Sequence, residues 1–158
     1  MELAFLAAAL AQLILPFCVA YAWIAGDEPE RAVSSALLAA MVAIENGVGG
    51  APPGGTSGPG FVGSWQPLID GWLCVIMLWA GLYANRAWTL WAGAVQLYVM
   101  FAYLAQVGGM MPPKAGLWLG RLVPYFVQLA LLWRGTQAHV ARRRRLGDYE
   151  AWRRAPSR

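Results

Sequence analysis

Two apolar runs, Pro67 to Ala84 and Trp88 to Val107, are separated only by Asn85, Arg86 and Ala87. Each approaches the roughly 20 residues that a helix needs to cross a bilayer core. Three intervening residues leave no room for anything but a tight turn, so the pair reads as a helical hairpin. A hairpin that is apolar all round has no face for water, and it belongs inside a large protein or in lipid. With 158 residues the chain has room for one domain. Its residues are 59% hydrophobic and 13% charged, against about 25% charged in soluble domains. A soluble fold of this size cannot hide that much apolar surface, so lipid is the expected medium.

Three further runs extend the pattern. Leu3 to Ala25 is long enough to span. Ala20-Tyr21-Ala22 has the form of a leader cleavage site, but Glu2 replaces the usual basic start and the apolar stretch continues past the cut. The run is therefore read as a span. Asp27 to Arg31 break the chain, and Pro29 among acidic neighbours suits a helix start. Ala32 to Val48 is shorter and weaker, and its alanines and serines suit close helix packing. It either spans or lies partly in the interface. A Gly/Pro-rich loop over 47–66 follows, with neither lysine nor a phosphate-binding pattern. The last run is Leu117 to Trp133.

The expected fold is thus all-α: a polytopic transmembrane helical bundle of about five spans, over 3–25, 32–48, 67–84, 88–107 and 117–133. It becomes four spans if the second run does not cross. Residues 1–134 form the transmembrane domain and 135–158 a basic tail. Cytosolic loops carry excess Arg and Lys. With the tail inside, every arginine except Arg121 falls on the cytosolic side, and Lys114 falls outside. The N-terminus is then outside and the C-terminus inside. Arg142, Arg143, Arg144 and Arg145, with Trp152 further on, are expected to meet anionic lipid headgroups. Leu146, Tyr149 and Trp152 recur every three residues, as an interfacial helical ribbon would require; a disordered tail is the alternative. The net charge of +4 is concentrated there beside apolar helices, which points to lipid rather than nucleic acid. Tryptophans 23, 65, 88, 133 and 152 fall at the boundaries, where indoles anchor.

Polar residues inside the runs need partners. Under five spans Glu45, Asp70 and Arg121 converge near the outer face. Either Arg121 pairs with Asp70 or Glu45, or each reaches headgroups separately. Gln12, Gln96 and Gln128 fall near mid-span, with Tyr103 on the Gln96 face and Tyr125 on the Gln128 face. Such stripes face other helices or water. They form interhelical bonds or line a polar path. Pro16 and Pro124 lie within spans and are candidates for kinks.

The chemistry-bearing sets are thin. Cys18 and Cys74 lie in apolar runs without a CxxC pair and read as small buried hydrophobes. His139 is the only histidine, which argues against a haem or metal centre. No cofactor is expected, and a catalytic role is disfavoured.

Residues 67–105 carry a looser signal: Asp70 opening one span, Arg86 in the turn, then Trp88, Trp91, Ala92, Gln96 and Leu97. This pattern resembles a group of small uncharacterised inner-membrane proteins of alphaproteobacteria, sphingomonads above all. The chain departs from that group at the end of the second span, where Tyr103 lies near the place of a histidine. The resemblance covers about a quarter of the chain and implies placement in a bacterial inner membrane, with no activity attached. The tail from Leu146 to Arg154 also resembles the end of membrane isoprenylcysteine methyltransferases, but it lacks their Arg-His-Pro cofactor segment. The expected role is a non-enzymatic accessory or assembly subunit of a larger membrane complex, or one that self-associates. The alternative is a small oligomeric transporter or channel using the glutamine layer.

Overall fold

The computed structural model describes residues 2–45, 66–84, 86–112, 115–116 and 118–147. The Glu45 side chain, the Gly/Pro loop, the end of the second run past Glu45, and the tail beyond 147 with Trp152 lie outside the described residues. Among the described residues the fold is all-helical. Its helices are α1 (Glu2–Ala25), α2 (Glu28–Glu45), α3 (Gln66–Tyr83), α4 (Ala87–Val107) and α5 (Val123–Leu146).

Most helix limits follow the apolar runs, with three informative departures. First, α2 begins at Glu28, earlier than the apolar run alone suggests. The Asp27 N–H donates to Glu30 Oε2 at 3.2 Å. The carboxylate at the third helical position thus reaches back to the cap, as in a capping box. Acidic residues in the first turn also favour the positive end of the helix dipole. The acidic residues around Pro29 thus start the helix, as their composition suggests.

Second, Pro124 does not interrupt a span. A π-helical turn, Trp118–Leu122, leads into α5, and Pro124 occupies the second position of that helix. A missing N–H is harmless there. Pro16, by contrast, lies within α1, which continues through it to Ala25. Third, the expected domain boundary at 134/135 falls inside a continuous helix. α5 runs on to Leu146, with Thr136 and His139 buried. It stops at Gly147, whose φ of +72° suits glycine and whose N–H bonds Arg143 O at 3.0 Å. Residues 135–146 are thus the last turns of a packed helix rather than part of a separate tail.

The helices pack in chain order, α1 on α2, α2 on α3, α3 on α4 and α4 on α5, and α5 returns to α1. This closes a ring. The core draws on every helix: Leu15, Cys18 and Ala22 from α1, Val33, Leu37 and Ala40 from α2, Leu73 and Met77 from α3, Ala92 from α4, and Leu129 and Leu132 from α5. Small residues let α3 and α4 approach closely. A Cβ at Gly81 would lie 3.2 Å from Thr89 O, and one at Gly93 would lie 3.4 Å from Met77 O. Tyr21 stacks near Trp133 with ring centroids 4.6 Å apart, tying α1 to α5.

The outside of the ring is apolar. Phe17, Ile24, Leu68, Val75, Leu82, Trp91, Phe101 and Leu104 are each more than half exposed. Among the described residues α4 is long and apolar enough to cross a membrane, with only 33% of its most apolar window buried inside the fold. Ala9–Ala25 and Pro67–Tyr83 are shorter apolar helical stretches.

Candidate functional site

The densest polar cluster lies where the α1–α2 turn meets the α3–α4 turn. Arg86 precedes α4 in extended backbone, φ −146° and ψ 124°. Its carbonyl accepts from Thr89 Oγ1 at 2.6 Å. The side chain crosses to the other turn. There Nη1 donates to Glu30 Oε1, and Nη2 donates to Asp27 Oδ2 at 3.2 Å. Trp88 Nε1 donates to the same Glu30 oxygen at 3.3 Å. Glu30 is fully enclosed, with 0% exposure. Both of its oxygens are occupied, Oε1 by Arg86 and Trp88 and Oε2 by the Asp27 N–H. A buried carboxylate requires this degree of satisfaction.

His139 of α5 is buried beside the cluster. Burial, and then the Arg86 charge, hold its imidazole below the ordinary histidine range; Glu30 and Asp27 pull the other way without overcoming them, and Arg143 adds to the lowering. A cleft of about 250 Å³ opens on this side. It is lined by Arg86, Ala87 and Trp88 from the start of α4 and by Arg134, Gly135, Ala138, His139 and Arg142 from one face of α5. Gly135 shapes it. A Cβ there would lie 2.6 Å from the Trp88 ring, so only glycine lets the indole lie against α5. Neither Glu30 nor Asp27 lines the cleft. The wall is largely apolar, with an indole and the stems of three arginines. Among the described residues no group of three His, Cys, Asp or Glu side chains could hold a metal.

The opposite end carries the residues singled out by sequence. The Tyr103 hydroxyl donates to Asp70 Oδ2. Arg121, half-buried on the π-helical turn, lies close enough to act electrostatically on that hydroxyl. The Asp70 carboxylate thus accepts from the Tyr103 phenol, with the Arg121 charge close by. Gln96 Nε2 donates to Asp70 O at 3.1 Å, and Gln128 Nε2 donates to Gln96 Oε1 and to Met77 Sδ at 3.6 Å. Tyr125 packs on the core.

Gln12 does not join this layer and is exposed. The inward stripe of α1 is Ala11, Leu15, Cys18 and Ala22, and helical spacing puts Gln12 off that stripe. Arg142, Arg143, Arg144 and Arg145 are exposed on the last turns of α5, and of these Arg142 lines the cleft.

Sequence reasoning treated Asp27, Glu30 and Arg86 as turn residues and missed their meeting. One signal was available: the arginine distribution already put both turns on the same side, and the two turns carry opposite charge. No protein-family model, curated protein or solved structure matches the chain.

Proposed function

We propose that the chain is a multi-pass protein of a bacterial inner membrane, five spans with the N-terminus outside and the C-terminus inside, acting as a non-enzymatic subunit that assembles with other membrane proteins. What supports the membrane placement is the inverted distribution of side chains. Large apolar groups face outward on α1, α3, α4 and α5, while Gln96, Gln128, Thr89 and Glu30 are buried inside. The turn bearing Arg86 and the arginine-rich end of α5 lie at one end of the ring, as the positive-inside rule requires of a cytosolic face.

The subunit role rests on one observation, the outward position of Gln12. It is exposed among Leu10, Leu13 and Phe17 and makes no hydrogen bond among the described residues. A carboxamide facing lipid lacks partners, and helices carrying one associate through it. The interior glutamines, by contrast, bond each other, which favours cohesion over a polar path. Purification in mild detergent tests the reading. The wild type is expected to migrate as a larger assembly and Gln12→Leu as a folded monomer. A wild type that is itself a lone, stable monomer refutes it. Labelling of single cysteines at Met1 and Arg158 tests the topology, and both ends reacting from one side would exclude five spans.

A further inference from the structure

We propose that the outer face of α1 docks against α1 of a second copy of this chain, the two helices parallel about a two-fold axis along the membrane normal, with Gln12 bonded to Gln12 across it. The proposal rests on the subunit reading above and names the partner.

Two polar groups of one residue are left open on the same stripe of α1. The first is the Gln12 carboxamide, exposed and without a hydrogen bond among the described residues. The second is its main-chain carbonyl. In a regular helix that oxygen accepts from the N–H four residues on. Here the fourth residue is Pro16, which has no N–H, and α1 runs on through it. No side chain among the described residues takes the place of that donor. Pro16 is itself exposed, so the gap lies on the outer side of the bundle.

The chemistry of these groups selects the partner. A carboxamide offers two N–H donors and one acceptor oxygen. Across a two-fold axis each Gln12 donates one N–H to the amide oxygen of its counterpart. The second N–H of each then matches a carbonyl that Pro16 has released. Donors and acceptors are used up by two copies, with no third group required. An unlike partner would have to bring its own polar group to this depth, whereas a two-fold axis sets equal residues at equal depth by symmetry. Within its own chain Gln12 has nothing to gain, because Gln96 and Gln128 are buried and bond each other.

The rest of the stripe permits close approach. Ala9, Gln12, Pro16, Ala20 and Trp23 follow one another at spacings of three and four, the seam of a left-handed helix pair. Three of the five are small, as close packing in lipid requires. Trp23 closes the seam, its Nε1 donating to Ser35 Oγ at 3.2 Å. The core stripe of Ala11, Leu15, Cys18 and Ala22 lies on another face, so docking leaves the bundle undisturbed.

Disulfide cross-linking of the full chain, purified alone and reconstituted in bilayers, tests the proposal. Cys18→Ala with Cys74→Ala removes the native thiols. In that background Ala20→Cys is expected to link two copies, and Phe101→Cys, exposed on α4, is not. Adding Gln12→Leu should weaken dimerisation about 10- to 100-fold on dilution in lipid, the loss of two reciprocal bonds, with near-UV circular dichroism unchanged. Gln12→Asn should keep part of the affinity. A dimer indifferent to Gln12→Leu, or one linked through Phe101→Cys and not Ala20→Cys, overturns the proposal. So does a pure chain that stays monomeric. If native membranes still yield a larger assembly that Gln12→Leu abolishes, the subunit reading stands and the partner is a different protein. Monomers from both sources sink both readings.

Discussion

Replacing Arg86 by Met removes the one cation inside the turn cluster while keeping its length and apolar stem. The structure sets the size of the effect through two unequal partners. Asp27 is about a third exposed, its side chain at 35%, so its bridge to Arg86 resembles a surface pair worth about 0–1 kcal/mol. Glu30 has no solvent contact. Its carboxylate, left with only Trp88 and a backbone N–H, becomes an uncompensated buried charge, at about 3–5 kcal/mol. The Glu30 term therefore dominates. Arg86→Met should destabilise by about 3–5 kcal/mol, whereas Asp27→Asn should cost about 1 kcal/mol or less.

The diagnostic is the double variant. Glu30→Gln with Arg86→Met removes both charges, and a neutral amide still accepts from Trp88. It should recover most of the loss, because replacing a whole buried pair by neutral groups is close to neutral. Unfolding titrations in mixed micelles, run as a double-mutant cycle, measure this. A cost below 1 kcal/mol for Arg86→Met alone, or additive losses in the double variant, would show that the pair does not hold the two turns together.

Other perturbations probe neighbouring features. Gly135→Ala pushes a Cβ into the Trp88 ring and should cost about 1–3 kcal/mol by overpacking; in a Trp88→Ala background the same change should cost nothing further. Gln96→Leu and Gln128→Leu should each lose about 0.6–2 kcal/mol, and together less than the sum because they share a bond; strict additivity in the same titration would contradict it. His139 titrates below the ordinary histidine range when folded. Well above pH 6.5 it is neutral in both states and contributes no slope. As the pH falls through 6.5 the unfolded chain takes up the proton first, so stability should decline until the folded imidazole also protonates. His139→Gln should flatten that decline between pH 7 and 5, and an unchanged slope would assign it to other groups.

Much of the architecture is legible in the apolar runs, since a helix all of whose faces are apolar announces itself by length alone. The same property hides orientation. α1 carries large apolar residues on every side, so nothing in its spacing tells which way Gln12 points, and the layer expected of it with Gln96 and Gln128 forms without it. At α2 the acidic residues around Pro29 do mark a helix start: the first turn of a helix has free N–H groups that an acid can satisfy, and Glu30 accepts from the Asp27 N–H at its cap. The turn cluster was missed because its members are local to two different turns: Glu30 and Arg86 lie 56 positions apart, and no periodicity connects them. Near Asp70, weighing formal charge singled out Arg121 and passed over Tyr103, a phenol one helix away that donates to the same carboxylate.

The closed ring has a consequence for how the protein comes into being. The inner face of α1 is completed by α5, the described helix farthest from it along the chain. Until Leu129 and Leu132 arrive, Leu15 and Cys18 have only part of their final surroundings. The α1–α2 pair is therefore made before the helix that encloses it. A chain halted before α5 would present two open faces, one on α1 and one on α4, to whatever helices lie nearby. Closure of the ring is therefore a late event in synthesis, because α5 is the helix that joins α4 back to α1.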